Sequence, residues 1–69
     1  MVVSHVSVKI SDGGHNLITI DEFADFTFDQ RMKMLSSKLI TFIDEDGQTV
    51  PLLEGVKYTT NYMRERKAS

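Results

Sequence analysis

The sequence predicts a small α+β domain in which antiparallel hairpins pack on one or two helices, in the order ββ-α-ββ-α. Three observations carry that expectation. Residues 2–10 alternate, with Val6, Val8 and Ile10 on one face and His5, Ser7 and Lys9 on the other, and a Gly13-Gly14 pair follows. Phe28, Met32, Leu35 and Leu39 recur at helical spacing. Leu39 to Val50 reads as strand, Asp-Gly turn and return strand, and Pro51 then ends the pairing because it has no N–H to donate.

Taken in order, the first strand covers residues 2–10. Ser11-Asp12-Gly13-Gly14 supplies turn chemistry, since glycine accepts the positive φ of a tight reversal. A three-residue loop at Asp12-Gly13-Gly14 sets Val8 opposite Ile18 and Val6 opposite Ile20, all on one face; a two-residue loop would turn Ile18 away from Val8. The second strand therefore runs from His15 to Ile20. Asp21–Phe26 is an irregular or short helical turn from which Phe23 and Phe26 cover the core.

A helix is expected over 28–38. Thr27 with Gln30 three residues on forms a capping box, which satisfies two otherwise free N–H groups. Asp29 near its start and Lys38 near its end suit the helix dipole, and Asp29 with Lys33 makes an i, i+4 pair in the favoured order. The strand at 39–43 looks rather apolar on both faces, Leu39, Thr41 and Ile43 on one and Ile40 and Phe42 on the other, as expected of a strand covered on both sides. A two-residue turn at Asp46-Gly47 sets Ile43 opposite Val50 and Asp44 opposite Thr49. After Pro51 the pattern fits either a helix (Leu52, Val56, Met63) or a strand (Val56, Tyr58, Thr60, Tyr62). Helix is preferred, because Met63-Arg64-Glu65-Arg66-Lys67 is good helix material, although Gly55 costs a helix about 1 kcal/mol.

Length and composition narrow the function classes. A chain of 69 residues holds one domain, and at that size it buries only roughly 60% of the surface exposed by its unfolded form. Small domains supplement such a core with disulfides, a metal or a partner chain. There are no cysteines and two histidines, which removes disulfides, zinc-thiolate sites and thiol catalysis, and leaves self-association as the expected supplement. The N-terminal stretch lacks a basic segment followed by an unbroken apolar run, and no apolar run approaches membrane-spanning length. A cytoplasmic protein with no membrane contact is the expectation.

The net charge of −2 is unevenly spread. Residues 1–46 carry four Lys/Arg against eight Asp/Glu, and residues 47–69 carry four against two. Candidate chemistry is sparse. Asp44-Glu45-Asp46-Gly47 resembles the start of a calcium loop, but its glycine comes at position 4 and Gly55 stands where the loop needs glutamate, so a solvated turn is expected. Asp21, Glu22, Asp25 and Asp29 cluster as acids do at helix starts. His5 and His15 fall at opposite ends of the hairpin, His5 opposite Asp21, without a nucleophile in reach. The glycines at 13 and 14 precede a strand, which is not the setting of a phosphate loop.

The sequence thus implies no enzyme, cofactor or metal site. The expected function is that of an interaction or regulatory module, partnered by a second copy of itself or by another protein. Its candidate contact residues are Ile40, Phe42, Met34, Tyr58 and Tyr62. Met32 is expected in the core, and Met34, pointing away from the Phe28–Leu35 stripe, at the surface. The alternative is a nucleic-acid-binding accessory factor that uses Lys57, Arg64, Arg66 and Lys67 beside the two tyrosines.

Overall fold

The computed structural model describes residues 2–68. It contains β1 (Val3–Lys9), β2 (His15–Thr19), α1 (Ile20–Ala24), α2 (Phe28–Ser36), β3 (Ile40–Asp44), β4 (Thr49–Val50) and α3 (Leu52–Ala68). The strands form one sheet in the order β2-β1-β3-β4, with every neighbouring pair antiparallel. This is the expected α+β order, with the short helical turn after β2 formed as α1 and the segment after Pro51 formed as a helix.

Both hairpins use the same three-residue loop. In the first, Ile10 N–H donates to Gly14 O and Gly13 N–H to Ile10 O, with Gly13 at φ +88°. In the second, Asp44 N–H donates to Gln48 O and Gly47 N–H to Asp44 O, with Gly47 at φ +81°. A type I turn closed by a left-handed glycine has this pattern.

The loops correct both predicted registers. The first loop is Ser11-Asp12-Gly13, one residue earlier than expected, so Val6 pairs with Ile18 and His5 with Thr19. A shift of two along the partner preserves the face, and Ile18 stays on the core side with Val6; Ile20 is released to begin α1. The second loop has three residues where two were expected. That one-residue slip sets Val50 opposite Phe42 and Thr49 opposite Ile43. Val50 thereby moves to the core face and is buried.

A further irregularity sits in β1. Val3 pairs with Asp44 and His5 with Ile43, so Ser4 is an extra residue in the ladder. Its hydroxyl donates to Asp44 O at 3.1 Å. The bulge re-phases the strand and lets Val3 and Val6 both be fully buried, which strict alternation forbids.

The helices cover one face of the sheet. Val3, Val6, Ile40, Phe42 and Val50 meet Ile20 and Phe23 of α1 in a single core. Phe23 and Phe42 pack edge to face with ring centroids 5.7 Å apart, and Phe26 adds a second edge contact to Phe23 at 6.1 Å. The opposite face carries Ser7, Leu17, Thr41 and Thr49, none of them buried. Of the two faces of β3, the one carrying Ile40 and Phe42 meets the core of this chain, and Thr41 on the other is exposed.

Local chemistry sets the helix ends. Thr19 with Glu22 and Thr27 with Gln30 each form a complete capping box, at the start of α1 and of α2. Helix α2 stops two residues before the expected end. Lys38 takes a left-handed conformation, φ 56°, while Lys38 N–H donates to Leu35 O and Leu39 N–H to Met34 O. Those paired bonds are a Schellman ending, here built on a lysine where glycine is usual.

Helix α3 starts with Gly55 N–H donating to Pro51 O. It packs on α1 and β3. Gly55 lets it do so: a Cβ at that position would lie 2.1 Å from Cδ2 of Phe42. The glycine that weakens the helix locally is what allows its axis to approach the sheet.

Candidate protein-docking groove

The apolar stripe of α2 meets the core only in part, through Leu35. None of its residues is buried. Phe28 is 68% exposed and Met32 44%. Met34, expected at the surface, is half-buried and packs with Leu35 against the core cluster. The helix is rotated so that Met34 and Leu35 point inward and the Phe28–Met32 edge stays open. Two constraints hold it in that position. Arg31 donates from Nη1 to Ala24 O at 3.2 Å and to Phe26 O, clamping the helix to the preceding turn. The Schellman ending fixes the exit.

An open groove of about 330 Å³ results, running between α2 and α3. Phe28, Met32 and Leu35 form one wall. Val56, Thr60 and Met63 form the other, spaced i, i+4 and i+7 along α3. Phe23 and Phe42 reach its floor, so the open surface is continuous with the hydrophobic core. The charged residues that line it are Arg31, Arg64 and Lys67. All three are basic, in a chain where ten acids face eight Lys/Arg.

The sequence-derived candidates divide between this groove and other places. Ile40 and Phe42, expected as contact residues, are buried in the core, Phe42 between Phe23 of α1 and Gly55 of α3. Tyr58 and Tyr62 are half-buried and stack on each other at 6.3 Å. Tyr62 donates its hydroxyl to Asp21 Oδ1, and that bond, with Asp21 close by, raises the phenol above its ordinary pKa.

Arg66 donates to Asp25 Oδ1 at 2.8 Å and lies 3.8 Å from Asp21, over the face of Tyr62. Its bond to Asp25 raises the guanidinium further above an already high value. The four basic candidates thus separate. Arg66 ties α3 to α1, Arg64 and Lys67 line the groove, and Lys57 is exposed outside it.

The acidic cluster separates in the same way. Asp21 and Asp25 hold Tyr62 and Arg66, and Glu22 closes the cap of α1. Asp44 accepts from the N–H groups of Asp46 and Gln48, both at 2.9 Å, so its carboxylate organises the turn. His5 pairs with Thr19, not Asp21 as expected, because the register is two residues away. Its Nδ1 lies 2.9 Å from Ser4 Oγ, a hydroxyl that is also within reach of the carbonyls of Ile43 and Asp44. Among the described residues no group of three or more His, Asp or Glu could hold a metal ion, and no helix is long and apolar enough to cross a membrane.

Sequence reasoning missed Phe28, Arg31, Met32 and Met63 as surface residues. The stripe itself was visible, but amphipathic spacing marks an apolar face without saying what covers it. Comparison of the chain with protein-family models, curated proteins and solved structures finds no match in any of the three.

Proposed function

We propose that this protein is a non-enzymatic interaction module that holds an apolar segment of another protein in the groove between α2 and α3. The observation that carries this reading is the exposure of Phe28 and Met32 on a helix that buries none of its residues. Apolar surface of this kind gains about 25 cal/mol per Å² when covered. Methionine suits such a site because its unbranched side chain adapts to different partners. Cytoplasmic location is part of the proposal, and the absence of cysteine suits a reducing compartment.

Panning a phage-displayed random peptide library on the protein and on a Phe28→Asp/Met32→Asp variant tests the reading. Peptides rich in apolar residues that bind the parent and not the variant are expected. Enrichment of the same peptides on both, or of none, overturns it. Self-association, the supplement that chain length suggests, is the competing occupant. A concentration-dependent dimer in sedimentation that the same variant abolishes would assign the groove to a second copy.

The nucleic-acid reading retains one supporting observation: Arg64 and Lys67 line the groove together with Arg31. Filter binding of single-stranded DNA at low and moderate salt, with an Arg64→Ala/Lys67→Ala variant, tests it. Phosphate contact requires a steep loss of affinity with salt and a shallower slope in the variant.

A further inference from the structure

We infer that the groove receives an acidic amphipathic helix from a different protein; this rests on the docking reading above. Three features of the groove point there.

The first is its walls. Both are helices, and its lining is side chains such as Phe28, Met32, Val56 and Met63. The one strand residue in its lining, Phe42, is paired on both sides, with Val6 and with Val50, so the groove offers no free row of strand N–H and C=O groups. A segment entering such a site must satisfy its own backbone, and a helix does that. The wall from Val56 to Lys67 extends about 16 Å at 1.5 Å per residue, which accommodates about three turns of an incoming helix.

The second is charge. Arg31, Arg64 and Lys67 line the groove without an acidic neighbour in its lining, although acids outnumber bases in the chain. Arg31 is held in place by the carbonyls of Ala24 and Phe26, so its charge is already positioned before a partner arrives. Carboxylates flanking the apolar stripe of the incoming helix meet these three groups, and complementary potentials of this kind set orientation and speed encounter.

The third concerns a second copy. A two-fold contact brings the same patch against itself. Through this groove it would face Arg31, Arg64 and Lys67 with their own counterparts, and repulsion opposes that. Helix α1 is the acidic helix of this chain, but its apolar residues Ile20, Phe23 and Ala24 are already buried. Among the described residues no acidic helix presents an open apolar face to such a groove.

The test uses two fluorescein-labelled 14-residue peptides. One carries leucine at helical i, i+3, i+4 and i+7 positions with glutamate elsewhere, and the other has lysine in place of every glutamate. Anisotropy titrations are run on the full chain, on Arg64→Glu/Lys67→Glu and on Met32→Asp, at low and moderate salt. The glutamate peptide is expected to bind at least tenfold more tightly than its lysine counterpart and to weaken as salt rises. The double charge reversal is expected to invert that preference, and Met32→Asp to abolish binding of both. Equal affinity for the two peptides, or a preference for lysine in the parent, overturns the inference and leaves the docking reading standing. Binding that Met32→Asp does not alter overturns both. One-to-one binding of dodecanoate without either peptide assigns the groove to a lipid and also overturns the inference.

Discussion

Replacing Gly55 with alanine sets two opposed contributions against each other. On an exposed helix the change is favourable by about 1 kcal/mol, because alanine loses less backbone freedom on folding. Here the new Cβ would lie 2.1 Å from Cδ2, 2.3 Å from Cγ and 2.6 Å from Cε2 of Phe42. Carbon atoms settle at about 3.5 Å or more, so ring and helix must separate by roughly 1.4 Å. The ring has little room to yield. Phe42 is 1% exposed and Phe23 stands edge-on against it at 5.7 Å.

Overpacking of a filled core costs up to about 3 kcal/mol, and so severe an overlap belongs at that upper end. Subtracting the helix gain leaves a net loss of about 2 kcal/mol. Urea denaturation followed by circular dichroism reads this directly: with a slope of about 1 kcal/mol per molar for a small domain, the midpoint falls by about 2 M. A double-mutant cycle with Phe42→Leu assigns the cause. The two substitutions should couple by at least about 1 kcal/mol, since the smaller side chain vacates part of the clash. A Gly55→Ala protein more stable than its parent, or strictly additive losses, would refute the close approach of α3 to β3.

Three further outcomes are expected. Lys38 holds φ 56° at the end of α2, so Lys38→Gly should raise stability by about 0.5–1 kcal/mol; thermal melts check this, and an unchanged or lower midpoint contradicts the Schellman ending. Phe28→Ala and Met32→Ala should each alter stability by no more than about 0.5 kcal/mol, whereas Phe23→Ala should cost about 3–5 kcal/mol. Comparable losses at all three positions would return the stripe to the core. The Tyr62 phenol, held neutral by its bond to Asp21, titrates above 10.0. Its contribution to stability is full below the unfolded value near 10 and disappears as pH rises through the folded value. Asp21→Ala should lower the Tyr62 midpoint seen by absorbance near 295 nm, and an unmoved midpoint would show that the bond is not formed.

The types and order of the elements were legible because they arise from short-range chemistry. Alternation over residues 2–10 is set within one strand, the Thr27–Gln30 capping box within four residues, and the left-handed ends of the hairpin loops by Gly13 and Gly47. The helix after Pro51 is legible in Met63-Arg64-Glu65-Arg66-Lys67. What went astray were registers and coverage. Asp-Gly suits a two-residue or a three-residue loop, and the choice decides whether Val50 faces solvent or Phe42. The bulge at Ser4 has no sequence signature and exists because it brings Val3 into the core.

By itself, then, the sequence determined a small α+β fold, its seven segments in outline, and the absence of cysteine chemistry. Only the tertiary structure decided which apolar residues remain open. Periodicity shows that Phe28, Met32 and Leu35 share a face; it does not show that α3, drawn onto Phe42 through Gly55 and tied to α1 through Arg66, stands away from that face. Burial belongs to pairs of elements, and so does the groove. Its basic lining comes from Arg31 and from Arg64 and Lys67, residues more than thirty positions apart that only the packing of α3 brings together.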